Sequence, residues 1–314
     1  MEERLTNSTK KLANDSPSKP TWQVWWRLLR PHTLTAAFVP VIIGTMLAIQ
    51  DNPFHFGLFL AMMVASILIQ SATNMFNEYY DFKRGLDHEG SVGIGGAIVR
   101  DGVRAETVLK LAFIFFGIAI FLGVYICLLT TWWIAVIGVV CMAAGYYYTG
   151  GPYPIAYTPF GEIAAGLFMG LILVLLSFYV QAEVITLDSV LLSLPISILV
   201  GGILMANNIR DRIGDQEKGR KTLAILLGHE KAVLSLEWMF IFSFLWIVIM
   251  IITIDASLWL LLVLLSLPKA FKAIKLFDGK TEAVQMMPAM KATAQMHTQF
   301  GLLMSIGLLL AYVI

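Results

Sequence analysis

Phe56-Gly-Leu-Phe-Leu-Ala-Met-Met-Val-Ala-Ser-Ile-Leu-Ile-Gln70-Ser-Ala-Thr-Asn74-Met-Phe-Asn77-Glu78-Tyr-Tyr-Asp81-Phe-Lys83-Arg84-Gly85-Leu-Asp87 is the stretch on which the fold turns. Phe56 to Asn77 is uncharged and as long as the roughly 20 apolar residues that a helix needs to cross a bilayer. Acids and bases then follow at once. Asn77 precedes Asp81 by four residues, so a helix carried through the motif stacks the two side chains on one face, a turn apart. Asp87 lies six residues beyond Asp81 and falls off that face, but Gly85 offers a helix stop that lets the chain swing Asp87 back.

The rest of the chain resembles this stretch. Of its 314 residues 58% are hydrophobic and only 14% are charged, with a mean hydropathy of +0.77, far more apolar than a soluble domain of this size needs. An all-α integral membrane protein is expected. Nine apolar stretches are read as spans: Thr33 to Ile49, Phe56 to Asn77, Val108 to Leu129, Trp132 to Tyr148, Phe160 to Val180, Val190 to Asn207, Val233 to Ile254, Ser257 to Phe271 and Thr293 to Ile314. No linker interrupts them after about residue 22, so one nine-helix bundle is expected over 23–314. Residues 1–22 read as a disordered cytoplasmic tail. They lack the basic, apolar, small-residue order of a signal peptide. Trp22 to Leu29 combines indoles with Arg27 as a helix at headgroup level would.

The basic residues supply an independent check, because short loops rich in Lys and Arg stay in the cytoplasm. All 22 fall in the tail, in Lys83 to Lys110, in Arg210 to Lys231 and in Lys269 to Lys291. With nine spans these segments share one side, which puts the N-terminus inside and the C-terminus outside. The loops around Asp51, Thr130, Gln181 to Asp188 and Asp255 carry no base. Cys127 and Cys141 sit in apolar runs without metal-ligand spacing and read as small buried hydrophobes. A net charge of +1 singles out no polyanion, and no nucleic-acid partner is expected.

A second motif repeats the first where the sixth span meets its cytoplasmic loop: Asn207-Asn208-Ile-Arg210-Asp211-Arg212-Ile-Gly-Asp215-Gln-Glu217-Lys218-Gly-Arg220-Lys221-Thr222. Asn207, Asp211 and Asp215 form a ladder at four-residue steps. Lys83, Arg84, Arg210, Arg212 and Lys221 interleave the acids. Such a set suits a diphosphate held through Mg²⁺, a hard cation that takes one or two carboxylates and shares phosphate oxygens, with Lys and Arg neutralising the remainder. Charge runs are usually solvated surface. Two copies of Asn-x-x-x-Asp at the same membrane face, four spans apart, argue against that here, since ionisable groups adjoining a bilayer are costly. The repeat also suggests two four-helix units plus a ninth helix.

At these residues the chain resembles the UbiA superfamily of intramembrane prenyltransferases, which have nine spans and two cytoplasmic aspartate-rich motifs, the first of the form Asn-Asp-x-x-Asp. Glu78 stands where the family has that first Asp, and Gly85 stands at the usual third acid. Within the superfamily the likeness is greatest to the 1,4-dihydroxy-2-naphthoate prenyltransferases of menaquinone synthesis. It is carried by Leu29-Arg30-Pro31-His32-Thr33-Leu34-Thr35-Ala36-Ala37, by Tyr147-Tyr148-Thr149-Gly150-Gly151-Pro152, by Ala156-Tyr157-Thr158-Pro159-Phe160-Gly161-Glu162 and by Gly219-Arg220-Lys221-Thr222-Leu223-Ala224.

The resemblance implies Mg²⁺-dependent transfer of an allylic polyprenyl group from its diphosphate to the naphthoate ring, with loss of the ring carboxylate as CO₂, giving demethylmenaquinone. The site would lie at the cytoplasmic face of the cell membrane. Asn77, Asp81, Asp87, Asn207, Asp211 and Asp215 are the expected metal group. Lys83, Arg210 and Lys221 are expected on the diphosphate, so that Asp81, Asp211, Lys221 and Arg210 form the catalytic core. Asn74 and Asn207 are further expected substrate contacts. Arg30 and His32 would meet the acceptor, and Tyr80 and Tyr148, among Tyr79, Tyr80 and Tyr146 to Tyr148, would offer aromatic faces to the allylic cation. Glu162 reads either as a proton acceptor or as a charge at a helix N-terminus. Gly117, Gly123, Gly161, Gly166 and Gly170 either line a groove for the prenyl tail or pack helices closely. Other expectations are a relative acting on 4-hydroxybenzoate, haem or a chlorophyll precursor, and a secondary transporter with polar sites at broken helices.

Overall fold

A computed structural model describes residues 21–87 and 96–314. Those residues form helices and connecting turns, with no strand among them. The expected tail over 1–22 lies outside the described residues but for Thr21 and Trp22, and Trp22 already opens a helix. In chain order the helices are α1 (Trp22–Leu28), α2 (Thr35–Ala48), α3 (Phe56–Lys83), α4 (Ala105–Leu129) and α5 (Trp133–Thr149). Next come α6 (Gly161–Ala182), α7 (Leu187–Glu217), the short α8 (Leu223–Leu227) and α9 (His229–Thr253). A 3₁₀ run, Leu258–Ser266, leads into α10 (Leu267–Lys275), and α11 (Ala283–Val313) ends the chain.

All nine expected spans fall on helix, but they are not alike. Among the described residues six helices are long and apolar enough to cross a membrane: α3, α4, α6, α7, α9 and α11. α2 and α5 are apolar but shorter. The stretch expected at Ser257 to Phe271 is divided, because Pro268 has no N–H for an α-helical ladder and the leucine-rich segment before it winds tighter. Large apolar side chains such as Phe121, Val139 and Phe242 face outward, as a lipid solvent allows and water does not. The protein is a multi-pass membrane protein.

The bundle packs unevenly, and the site depends on that. One core joins α2, α7, α9, α10 and α11 through Ile43, Ile196, Leu236, Ala273 and Phe300. A second gathers α1, α3 and α4 around Phe76, which meets Phe113, Phe116 and Tyr146 edge to face. A third closes the far end of α3, α4 and α6 with Leu58, Ile126 and Val180. α6 sits directly on α7. Its middle, Gly166–Ile172, widens into a π-helical stretch, and the Ser197 hydroxyl donates to the Gly166 carbonyl at 2.9 Å. A Cβ on Gly170 would stand 2.3 Å from the Cα of Ser197, and one on Gly166 2.6 Å from its carbonyl oxygen. These two glycines therefore serve close packing, whereas Gly123 borders the cavity described below. Gly170→Ala should lower stability by about 1–3 kcal/mol, because the obstacle is backbone that cannot rotate away. Thermal unfolding in detergent checks this, and an unchanged Tm would refute it.

Candidate active site

The polar end of α3 ends as its sequence suggests. Gly85 adopts φ 70°, and the amides of Leu86 and Asp87 both donate to the Asp81 carbonyl, at 2.8 and 3.4 Å. That fold-back carries Asp87 to the cavity that Asp81 borders. Asn207, Asp211 and Asp215 on α7 border the same cavity, together with Asn77. The two ladders face one another closely enough for one side chain to bridge them: Arg220 donates through Nη2 to Asp81 Oδ1 at 2.6 Å and through Nη1 to Asp215 Oδ1 at 3.1 Å.

Sequence reasoning selected Lys221 for the diphosphate; in the structure its neighbour Arg220 lines the cavity and Lys221 does not. α7 ends at Glu217, Gly219 turns the chain at φ 80°, and the Arg220 amide donates to the Asp215 carbonyl at 3.0 Å. This turn aims Arg220 inward. Lys221 gives its amide to the Tyr157 carbonyl and leaves its side chain exposed. Tyr157 is the platform that selects between the two, with the Arg220 guanidinium 5.1 Å and that of Arg84 5.5 Å from its ring centre. Lys83 is also off the cavity, over the Tyr79 ring at 5.6 Å. Arg210 borders it, with its Nε 2.7 Å and its Nη2 2.5 Å from the Asp211 carboxylate oxygens.

Several expected substrate contacts hold the protein to itself. Asn74 donates to the Leu29 carbonyl at 2.9 Å and to Thr33 Oγ1 at 3.0 Å, pinning the turn between α1 and α2 on which Arg30 sits at φ 52°. That left-handed geometry is strained for a non-glycine residue. It places Arg30 and His32 on the cavity wall. Asn77 accepts from Thr149 Oγ1 at 2.7 Å. Tyr80 shares a 2.6 Å hydrogen bond with Tyr146 inside an aromatic cluster away from the cavity; of the five expected tyrosines Tyr148 alone lines it. Glu78, at the position where a metal-binding acid is expected by resemblance, is buried and accepts from the amides of Gly96 and Ile98 at 2.6 and 3.3 Å, with Arg30 3.5 Å away. It fixes the backbone at Gly96 and Ile98 and does not line the cavity. Lys218 donates to the Leu86 carbonyl, closing the two motifs on each other.

Below this mouth the cavity, about 830 Å³, continues between α4, α5 and α6 over Ala119, Ile126, Ile134, Met142, Phe168 and Leu176. Electrostatics distinguish its polar end. Burial, then the nearby carboxylates of Asp81 and Glu78, raise Asp87 to about 6 against the opposing charges of Arg30 and Lys218. Burial, then the positive charges of Arg30 and Arg210, lower His32 to about 4, so its ring is neutral at neutral pH. Asn207 Oδ1 is buried without a hydrogen-bond partner. Among the described residues no three His, Cys, Asp or Glu converge closely enough to hold a metal ion by themselves. An open pair of carboxylate ladders with a free amide oxygen fits Mg²⁺, which keeps positions for phosphate oxygens and water, and does not fit a closed structural site.

Fold and site define a multi-pass membrane enzyme with a charged mouth above a long apolar chamber. The chain belongs to the UbiA prenyltransferase family, whose sequence model matches residues 37–311, and it is a prenyltransferase. It is 53% identical over 309 residues, 98% of this chain and 99% of the other, to 1,4-dihydroxy-2-naphthoate octaprenyltransferase of Bacillus subtilis (strain 168). The fold is similar to that of a UbiA homologue from Aeropyrum pernix K1 without ligand, with a TM-score of 0.66 at 15% identity, covering 89% of this chain and 98% of that one. It is also similar to a UbiA homologue from Archaeoglobus fulgidus bound to DMAPP and Mg²⁺, with a TM-score of 0.61 at 15% identity, covering 90% and 99%.

Proposed function

We propose that this protein transfers a polyprenyl group from polyprenyl diphosphate to 1,4-dihydroxy-2-naphthoate with loss of the ring carboxylate as CO₂, giving demethylmenaquinone in its hydroquinone form, in an Mg²⁺-dependent reaction. The observation that carries the reaction class is the pair of carboxylate ladders, joined through Arg220, at the mouth of a chamber with an apolar wall. The acceptor rests on the 53% identical relative and on the segments shared with the naphthoate branch. A transporter is disfavoured, because its polar site would lie near the bilayer midplane, not at the end of α3 and α7.

Nine crossings are the reading that places every Lys and Arg on one side, with the N-terminus and site cytoplasmic, the C-terminus outside, and a membrane domain over 23–314 after a cytoplasmic tail. Arg30, Asp87, Asp215, Arg220 and Thr281 come from all four base-rich segments and border one cavity, which supports the common side. The repeated Asn-x-x-x-Asp motifs support two related four-helix units plus one helix. The membrane is proposed to be the cell membrane.

In this reading Asn77, Asp81, Asp87, Asn207, Asp211 and Asp215 hold Mg²⁺, and Arg220 and Arg210 hold the diphosphate directly, in place of Lys83 and Lys221. When bound, Mg²⁺ supplies positive charge against the diphosphate oxygens. The guanidiniums are fixed by their carboxylate partners, so they need little reorganisation as negative charge grows on the leaving group. The apolar walls keep water from the allylic cation, which would otherwise end as a prenol, and the Tyr148 ring offers it an electron-rich face. Neutral His32 can hydrogen-bond the acceptor without a competing charge. Incubation with dihydroxynaphthoate, labelled polyprenyl diphosphate and Mg²⁺ should give a product of prenylated, decarboxylated mass. Chelator should reduce turnover to background and added Mg²⁺ should restore it. Full turnover in chelator would eliminate the metal role, and turnover only with 4-hydroxybenzoate, haem or a chlorophyll precursor would replace the acceptor.

A further inference from the structure

Gln70 is a polar side chain below the charged mouth, and the diphosphate chemistry does not use it. It lies on α3 and lines the cavity. Eleven residues separate it from Asp81, about 16 Å at the helical rise, so it stands too deep for the diphosphate or its metal. Its polar neighbours on the same wall are satisfied within the protein. Ser66 donates to the Met63 carbonyl and Thr73 to that of Ile69, each at 3.0 Å, and Asn74 is bound to Leu29 and Thr33. Among the described residues Gln70 makes a single hydrogen bond, from Nε2 to Asn74 Oδ1 at 3.4 Å, longer than an amide hydrogen bond normally is. Its Oε1 accepts none there and is not occluded. A wall serving only a polyprenyl tail gains nothing from this amide, because the tail brings no hydrogen-bonding group and displaces the water that would. The depth suits the acceptor instead. Asn74, one turn above Gln70, is tied to Thr33, so Gln70 lies roughly one turn below the segment that puts His32 on the cavity wall. An acceptor whose carboxylate meets Arg30 or His32 directs its other end inward, and there it carries its remote hydroxyl. An amide matches a hydroxyl in both directions, accepting through oxygen and donating through nitrogen.

We propose that Gln70 is a specificity-determining residue for the acceptor, its amide hydrogen-bonding the ring hydroxyl remote from the carboxylate. The assignment rests on the aromatic prenyl transfer proposed above, and it narrows the acceptor to aromatic acids that carry a second hydroxyl across the ring. No bond to Gln70 is made or broken in the reaction. Discrimination arises because an acceptor without that hydroxyl leaves the amide unpaired against an apolar wall, and an unmade hydrogen bond costs more than a made one contributes. Apolar contacts alone separate acids of the same outline poorly, whereas a polar group placed for a substrate hydroxyl rejects the analogue that lacks it.

The test measures kcat/KM for 1,4-dihydroxy-2-naphthoate and, against it, the inhibition constant of 1-hydroxy-2-naphthoate, in wild type and in Gln70→Leu. In wild type the monohydroxy acid should bind about tenfold more weakly than the dihydroxy acid. Gln70→Leu should lower kcat/KM for the dihydroxy acid about tenfold, while the inhibition constant of the monohydroxy acid does not rise and KM for polyprenyl diphosphate stays unchanged. A fault in packing, or loss of the Asn74 contact, would weaken both acids alike, and that result overturns the assignment. So does wild-type selectivity between the two acids in Gln70→Leu. Should Gln70→Leu not fold, Gln70→Met, which keeps the length of the side chain, gives the same comparison. Wild type that transfers no prenyl group to dihydroxynaphthoate overturns the underlying reading instead, so the two failures are distinct.

Discussion

Asp81→Ala and Asp211→Ala should each cut prenyl transfer on the order of 10³-fold or more, the scale of losing preorganised charge at a reacting group, and leave the protein folded in detergent. Asp81 sits on the last turn of α3 and Asp211 on α7, and both line the cavity. Each removal takes away a proposed metal ligand and also removes a partner of a cation, leaving Arg220 with Asp215 alone in one variant and Arg210 without Asp211 in the other. The helices do not depend on these carboxylates. α3 is anchored by Met75 and Phe76, α7 by Ile196, Leu199 and Ile209, all fully buried. Turnover of labelled polyprenyl diphosphate, with size-exclusion and circular dichroism as folding controls, decides the matter. Full activity of either variant at saturating Mg²⁺ would remove the metal assignment.

Arg220→Met carries the second large effect, a loss in turnover of about 10²–10³-fold, while Lys221→Met should change turnover by less than about threefold, as expected of an exposed cation. The guanidinium reaches both ladders at once through two nitrogens. An ammonium is a single point of charge and cannot fork in that way, so Arg220→Lys should recover only part of the activity. A separate readout follows from the same geometry. Without Arg220, Asp81 and Asp215 face each other unpaired, and their repulsion favours any cation that can sit between them. Mg²⁺ alone should therefore raise the Tm of Arg220→Met more than that of wild type. Equal losses in Arg220→Met and Lys221→Met would return the diphosphate role to Lys221.

Part of the site was legible before any coordinates. Asn207, Asp211 and Asp215 share a face because four residues nearly complete a helical turn, and Gly85 marked the point where Asp87 could turn back. Arg220 was overlooked because it stands beside Lys221 in a loop, where no periodicity says which side chain points inward. Glu78 has the right charge at a motif position, yet its direction is set by the amides of Gly96 and Ile98, some twenty residues on. Tyr80 and Tyr148 are equally aromatic. One joins Phe76 and Tyr146, the other reaches the cavity, and only the packing of α5 on α3 distinguishes them.

The sequence alone determined that the chain is helical and membrane-embedded, that its bases fall in four segments between apolar stretches, and that Asn-x-x-x-Asp ladders stand at two of them, because hydropathy, charge clustering and helical period are local properties of a chain. Tertiary structure decided that the ladders meet, that Arg220 bridges them, and that an apolar chamber opens beneath. Asp81 and Arg220 are 139 residues apart, and the contact between them depends on how α3 and α7 pack and on the turn at Gly219, which sets the direction of a side chain that no local pattern encodes.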